Sequence, residues 1–107
     1  MNAPGSAPPA GVGVPVANAG RMARMRELLS HAFAPAVLDI VDDSHKHAGH
    51  AGARDGRGHF TVQIVSDAFA GLSPLARHRA VYAALGTMMD SDIHALSINA
   101  RAPGQQP

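Results

Sequence analysis

The stretch HFTVQIVSDAFAGLSPLARHRAVYAALGTMM, residues 59–89, decides the fold of this chain. Its first eight residues place Phe60, Val62 and Ile64 on one side, alternating with a second set of side chains on the other. Alternation of this kind over four to eight residues is typical of a half-buried β-strand. The turn residues DAFAGL separate this strand from the segment that follows.

The second half of the stretch predicts a helix over residues 74–89. Ser73 is a favourable cap residue, and the proline after it suits the first helical position. His78 falls within the apolar arc of this helix, so we expect it to be partly buried. Arg77 and Arg79 lie on the flanks of the arc, about 200° apart, and cannot both face one flat surface. The apolar arc itself consists of Leu75, Val81, Tyr82, Leu85, Met88 and Met89.

The segments on either side of this stretch complete an α+β pattern. Residues 21–34 predict an amphipathic helix, residues 36–43 a strand and residues 95–100 a short last strand. The order helix–strand–strand–helix–strand predicts a small sandwich, a three-stranded mixed sheet with helices on one face. Residues 44–58, SHKHAGHAGARDGRG, form a long glycine-rich connection between the first two strands, and connections of this length are usually functional or disordered.

Composition bounds the domain organisation and the function classes. The 107 residues suit one domain over 21–102, after a disordered tail rich in Ala, Gly and Pro at 1–20 and before a frayed end at 103–107. No cysteine is present, which excludes disulfides, a thiol nucleophile and metal sites that this chain would build on thiolates. No apolar run approaches a membrane span and no signal peptide is apparent, so we expect a cytoplasmic protein.

Histidine is the distinctive residue type. Three of the seven histidines lie inside the glycine-rich connection, within a span of six residues: His45, His47 and His50. Neutral imidazole is a common ligand of zinc, copper, nickel and iron, so this cluster can bind a metal such as zinc or nickel without a partner. The alternative is a solvated polar loop. His94 and His59, taken alone, are more typical of structural positions.

Three separated motifs resemble the BolA family. These are VSDAFAGLSPLARH at 65–78, RAVY at 79–82 and DIHALSI at 92–98, and the similarity covers about residues 22–101. The resemblance implies a fold similar to the type II KH fold. It also implies a non-enzymatic protein that forms a complex with a monothiol glutaredoxin and co-ligates a [2Fe–2S] cluster shared with that glutaredoxin and glutathione, in iron–sulfur cluster trafficking or iron sensing. The sequence itself contains no nucleophile motif or convincing acid–base pair.

The resemblance also implies candidate cluster ligands. His94 in DIHALSI matches the C-terminal ligand of the family. The second ligand comes from the connection between the first two strands, where His47 is the best match and His50 and His45 remain rivals. Because the chain has no cysteine, it resembles the branch of the family that uses a loop histidine.

DNA binding is the alternative function, since some BolA proteins are transcriptional regulators of promoter DNA. Arg77, Arg79 and Arg101 are the candidate phosphate contacts. A net charge of +1 weakens this interpretation, because non-specific DNA affinity comes mainly from phosphate neutralisation. The sequence also leaves open a weak homodimer. The residues expected to maintain the fold are Phe69, Gly71, Leu75, Val81 and Tyr82.

Overall fold

The computed structural model describes residues 16–44 and 58–105. In chain order the elements are α1 (Val16–Phe33), β1 (Val37–Asp42), β2 (Gly58–Val65), a 3₁₀ turn (Asp67–Phe69), α2 (Pro74–Leu85), α3 (Met88–Ser91) and β3 (Ile93–Arg101). The sheet order is β1-β2-β3, with β2 antiparallel to β1 and parallel to β3. The predicted α+β architecture with a three-stranded mixed sheet is confirmed.

One hydrophobic core joins the helices to a single face of the sheet. Along β2 the side chains of Phe60, Val62 and Ile64 are buried, whereas Gln63 between them is exposed. The helices therefore cover one face, as the sequence predicts. The other buried members of the core come from each remaining element: Met25 and Leu29 (α1), Ile40 (β1), Phe69 (the 3₁₀ turn), Val81 and Leu85 (α2), Met88 (α3) and Ile93 (β3).

Helix α1 begins five residues before its predicted start at residue 21. It takes in 16–20, the last part of the segment that the sequence predicts as a tail, while residues 1–15 lie outside the described part of the chain. Composition favoured a tail there, but Asn18 is only 6% exposed. Its side-chain amide bonds Asp42 and Ser44, and these long-range contacts hold the extra turn.

Helix α2 ends at Leu85, four residues before the predicted end. Gly86 follows with φ 58°, a left-handed conformation that favours glycine, and its N–H donates to the Tyr82 carbonyl. The short helix α3 then turns the chain towards β3. The predicted single helix over 74–89 is thus two helices separated at a glycine.

The buried stripe of α2 is narrower than its apolar arc. Leu75 and Tyr82, which the sequence places in the apolar arc, are 59% and 43% exposed and lie outside the buried core. His78 is also exposed, which corrects its predicted partial burial. Tyr82 and Leu75 lie about 100° and 120° around the helix from the fully buried Val81, beyond the face that packs on the sheet.

Turn and terminal residues attach the ends of α2 and β3. Gly71, one of the residues expected to maintain the fold, has φ 79° in the turn before α2, a conformation that favours glycine. Gln105 lies in the segment predicted to fray, yet its side-chain oxygen accepts from the Ala102 N–H and from Arg77, each at 2.8 Å.

Across residues 16–44 and 58–105, no helix combines the length and apolar character that crossing a membrane requires.

Candidate metal-binding site

His94 lies within β3 rather than before it, because the strand starts at Ile93 and not at the predicted residue 95. In the pairing of β2 with β3, Gly58 lies opposite Ile93 and His59 lies opposite Ala95. His94 is therefore an extra residue on β3, at an irregularity of the β-bulge type. Bulges change the direction of a side chain and are common beside functional sites.

This irregularity brings His94 against His59 on the neighbouring strand. The centroids of the two imidazole rings lie 5.1 Å apart, with their planes inclined by 47°. His59 is buried, at 5% exposure, whereas His94 is exposed. One imidazole of the pair is therefore accessible to solvent and the other is buried. Imidazole nitrogens are common ligands of iron, zinc and copper.

The same end of the sheet carries both ends of the histidine-rich connection. The Asp43 N–H donates to the His59 carbonyl at 2.7 Å, and the His59 N–H donates to Ser44 Oγ at 3.1 Å. These two bonds join the residues on either side of 45–57 to each other. His45, His47 and His50, the predicted loop ligands, lie outside the described residues.

A carboxylate lies beside the start of β3. The Ser91 hydroxyl donates to Asp92 Oδ2 at 2.8 Å, and Arg21 Nε donates to Asp92 Oδ1 at 3.2 Å. The Ser91 bond, followed by the Arg21 bond, holds the pKa of Asp92 below its usual value. Asp92 is therefore ionised at neutral pH and forms an ion pair with Arg21.

The described residues bring two imidazoles together at this end of the sheet. Within 16–44 and 58–105, no three His, Cys, Asp or Glu side chains are grouped closely enough to hold a metal ion. A [2Fe–2S] cluster with thiolates on one iron has two positions left on the other, and two imidazoles fill such positions in Rieske centres. Imidazole is thus a suitable donor for that half of a cluster, and His94 carries an exposed one.

The candidate phosphate-binding arginines have different surroundings. Arg77 donates to the carbonyls of Leu72 and Ala100, each at 3.0 Å, and so joins the start of α2 to the end of β3. Arg79 is exposed, and Arg101 donates to the Gln105 carbonyl at 3.3 Å. Arg77 lines a cavity of about 310 Å³, and Arg79 and Arg101 are not among its lining residues, which are Pro74, Arg77, His78, Ile98, Asn99 and Ala100.

The sequence alone does not single out His59, the histidine whose ring lies beside that of His94. At the opening of a predicted strand it has the features of a structural histidine. Its neighbour His94 is 35 positions away in the chain, and only the pairing register of β2 with β3 brings the rings together. The available signal was the histidine–phenylalanine pair at 59–60, next to the start of β2.

Comparison with known proteins identifies the relatives of this chain. "Protein BOLA1, chloroplastic" of Arabidopsis thaliana is 44% identical over 90 residues, which cover 81% of this chain and 56% of that protein. "DNA-binding transcriptional regulator BolA" of Escherichia coli (strain K12) is 40% identical over 76 residues, which cover 71% of this chain and 70% of that protein. The chain thus spans little more than half of the Arabidopsis relative.

Solved structures and a family model indicate the same family as these relatives. The solved BolA domain of SufE1 from Arabidopsis thaliana superposes with a TM-score of 0.71 at 41% identity, covering 85% of this chain and 96% of that domain. The model of the family described as BolA-like protein matches residues 29–105. This chain therefore belongs to the BolA-like protein family.

Proposed function

We propose that this chain is a non-enzymatic BolA protein that joins a monothiol glutaredoxin and co-ligates a shared [2Fe–2S] cluster in cluster trafficking or iron sensing. The observation that carries the proposal is the pair of imidazoles at the bulge of β3, where His94 is exposed and lies 5.1 Å from His59. The pair lies at the base of the histidine-rich connection, in a chain with no cysteine.

The proposed division of ligands follows from this composition. The glutaredoxin cysteine and glutathione supply two thiolates, and this chain supplies two imidazoles. His94 is the first imidazole because it is exposed at the edge strand β3. His47 is the proposed second, with His50 and His45 as alternatives, and the position of His59 adds it as a further candidate. Imidazole ligation raises the reduction potential of such a cluster relative to thiolate ligation.

The test is a titration into a glutathione-ligated [2Fe–2S] monothiol glutaredoxin, followed by visible circular dichroism. The native chain is expected to change the spectrum with one-to-one stoichiometry, and His94→Ala is expected to leave it unchanged. His31→Ala is the matched control, because His31 is an exposed histidine in the last turn of α1. A native chain without effect, or a His94→Ala variant equal to the native chain, would reject the proposal.

Single alanine variants then assign the second ligand. His47→Ala is expected to weaken the spectral change more than His45→Ala or His50→Ala. If His59→Ala alone abolishes the change while retaining the native unfolding midpoint, the second ligand is the strand histidine. The unfolding midpoint separates ligand loss from loss of folding, because His59 is buried and its replacement also changes packing.

DNA regulation is the second candidate, favoured by the likeness to the Escherichia coli relative whose name describes a DNA-binding regulator. Arg79 is the residue to test, because it is exposed on α2, whereas Arg77 is engaged with backbone carbonyls. DNA binding predicts a complex that weakens with salt and whose salt slope falls by about 0.9 for each phosphate that the protein no longer neutralises. Arg79→Ala would reduce that slope, while His94→Ala would leave DNA affinity unchanged.

A further inference from the structure

A polar network at the start of α1 connects the backbones beside the two imidazoles. Its centre is Asn18, a buried residue in the helical turn that the sequence predicts as tail. The Asn18 side-chain amide donates to Asp42 Oδ2 at 3.2 Å and to Ser44 Oγ at 3.0 Å. Its carbonyl oxygen accepts from Arg21 Nη1 at 2.8 Å. The buried amide therefore has partners for its donor group and its acceptor.

The donor side of Asn18 leads to His59. Ser44 Oγ, which accepts from Asn18, also accepts from the His59 N–H at 3.1 Å. The Ser44 N–H donates to Asp42 Oδ1 at 2.8 Å, so the carboxylate of Asp42 joins the Asn18 amide to the Ser44 backbone. These bonds fix the backbone at the first residues of β2.

The acceptor side of Asn18 leads to His94. Arg21, bonded to Asn18, also donates from Nε to Asp92 Oδ1 at 3.2 Å. The Asp92 carbonyl accepts from the Gly58 N–H at 2.9 Å, and Asp92 lies two residues before His94. Arg21 and Asp92 thus connect α1 to the point where β3 begins its irregular pairing with β2.

We propose that Asn18 and Arg21 are positioning residues that hold the His59 and His94 imidazoles together. Asn18 bonds the Ser44 hydroxyl, which accepts from the His59 N–H, and Arg21 bonds the Asp92 carboxylate two residues before His94. The pairing of β2 with β3 is irregular at this point, so the sheet alone fixes the two strands poorly. Asn18 and Arg21 lie outside the stretch 29–105 that the family model matches, whereas the residues that they bond lie within it. The consequence for cluster retention rests on the proposed function, whereas the positioning itself is a property of the free protein.

The first test measures positioning in the free protein by nuclear magnetic resonance. In the native chain a nuclear Overhauser effect is expected between the His59 and His94 rings, together with slow exchange of the Gly58 and His59 amides. Asn18→Ala is expected to weaken the ring contact and to accelerate exchange of these two amides by about tenfold, as for one missing hydrogen bond. The amides of Val62 and Ile64 at the centre of β2 report global stability and are expected to keep their protection.

Two further variants separate positioning from general destabilisation. Ser66→Ala removes a buried hydroxyl just past the opposite end of β2, about 25 Å along the strand from Gly58. It is expected to leave the ring contact and the Gly58 and His59 amides as in the native chain. Arg21→Gln keeps part of the aliphatic stem and removes the guanidinium. It is expected to weaken the ring contact and accelerate amide exchange as Asn18→Ala does, so it serves as the test if Asn18→Ala folds poorly.

The second test places the variants in the proposed complex. The rate of cluster loss to an iron chelator is expected to rise several-fold for Asn18→Ala and Arg21→Gln but not for Ser66→Ala. Unchanged ring contact and exchange in Asn18→Ala and Arg21→Gln would overturn the positioning proposal, whatever the cluster does. Altered ring contact with native cluster retention would overturn its link to ligation. If the native chain leaves the glutaredoxin spectrum unchanged, the proposed function fails, and the resonance test still decides the positioning.

Discussion

Gly58 is the residue at which backbone space matters most. A Cβ at this position would lie 2.4 Å from the Phe60 ring and 3.1 Å from Asn18 Oδ1. Phe60 is a core residue at 2% exposure, so its ring cannot move without disturbing its neighbours. Gly58→Ala is therefore expected to destabilise the protein by about 1–3 kcal/mol, the range for overpacking a core.

Gly20→Ala provides the matched control in a denaturant titration. A Cβ at Gly20 meets no atom within 4 Å, and the residue lies inside α1. Alanine there is expected to stabilise the protein by about 0.5–1 kcal/mol, because it costs less backbone entropy in a helix. Equal effects of the two substitutions would contradict the assigned crowding at Gly58.

Ser66 connects the end of β2 to the end of α1 through one hydroxyl. This hydroxyl donates to the Phe33 carbonyl at 2.7 Å and accepts from the Ala68 N–H at 3.1 Å, and the residue is 2% exposed. Ser66→Ala leaves both partners without this bond and is expected to cost about 1–3 kcal/mol in the free energy of unfolding. Ser97→Ala, at an exposed position on β3, is expected to change it by less than about 0.5 kcal/mol. A Ser66→Ala variant as stable as Ser97→Ala would refute this role.

At the scale of elements, Arg77 joins three parts of the fold. Its guanidinium donates to the turn at Leu72, to β3 at Ala100 and to the side chain of Gln105. We expect Arg77→Ala to lower the unfolding free energy by about 1–3 kcal/mol, because the two carbonyls then lack their charged donor. Arg79→Ala, the matched arginine on α2, is expected to stay within about 0.5 kcal/mol of the native chain. Thermal or denaturant unfolding measures both, and similar values would contradict the structural assignment of Arg77.

The elements differ in how far the sequence could predict them. Strand β2 was predictable because its alternating pattern is local and continuous. The start of α1 was not, because Asn18 and Arg21 are held by residues 24 and 71 positions away, while the local composition resembles a tail. The site followed the same rule. The resemblance to family motifs made His94 a candidate ligand, but the adjacency of His59 depends on strand register, which no local pattern encodes.

At the scale of the whole molecule, the proposed function gives the chain only part of a cluster site. Iron–sulfur clusters are held mainly by thiolates, and this chain has none. The described residues bring together two imidazoles but no group of three potential ligands. In the proposal, a partner contributes the thiolates that complete the site, so the proposed function is a property of the complex rather than of the free chain.

This division predicts the outcome of reconstitution with iron and sulfide. The chain alone is expected to retain no cluster after desalting, since imidazoles without thiolates leave one iron without its ligands. With a monothiol glutaredoxin and glutathione present, a stable cluster with a visible circular dichroism signal is expected, and His94→Ala is expected to lose the signal that distinguishes this complex from glutaredoxin alone. His31→Ala has the same number of histidines as His94→Ala and controls for adventitious iron binding. A cluster retained by the chain alone would show that its own histidines suffice, and the partner would then be a recipient rather than a co-ligand.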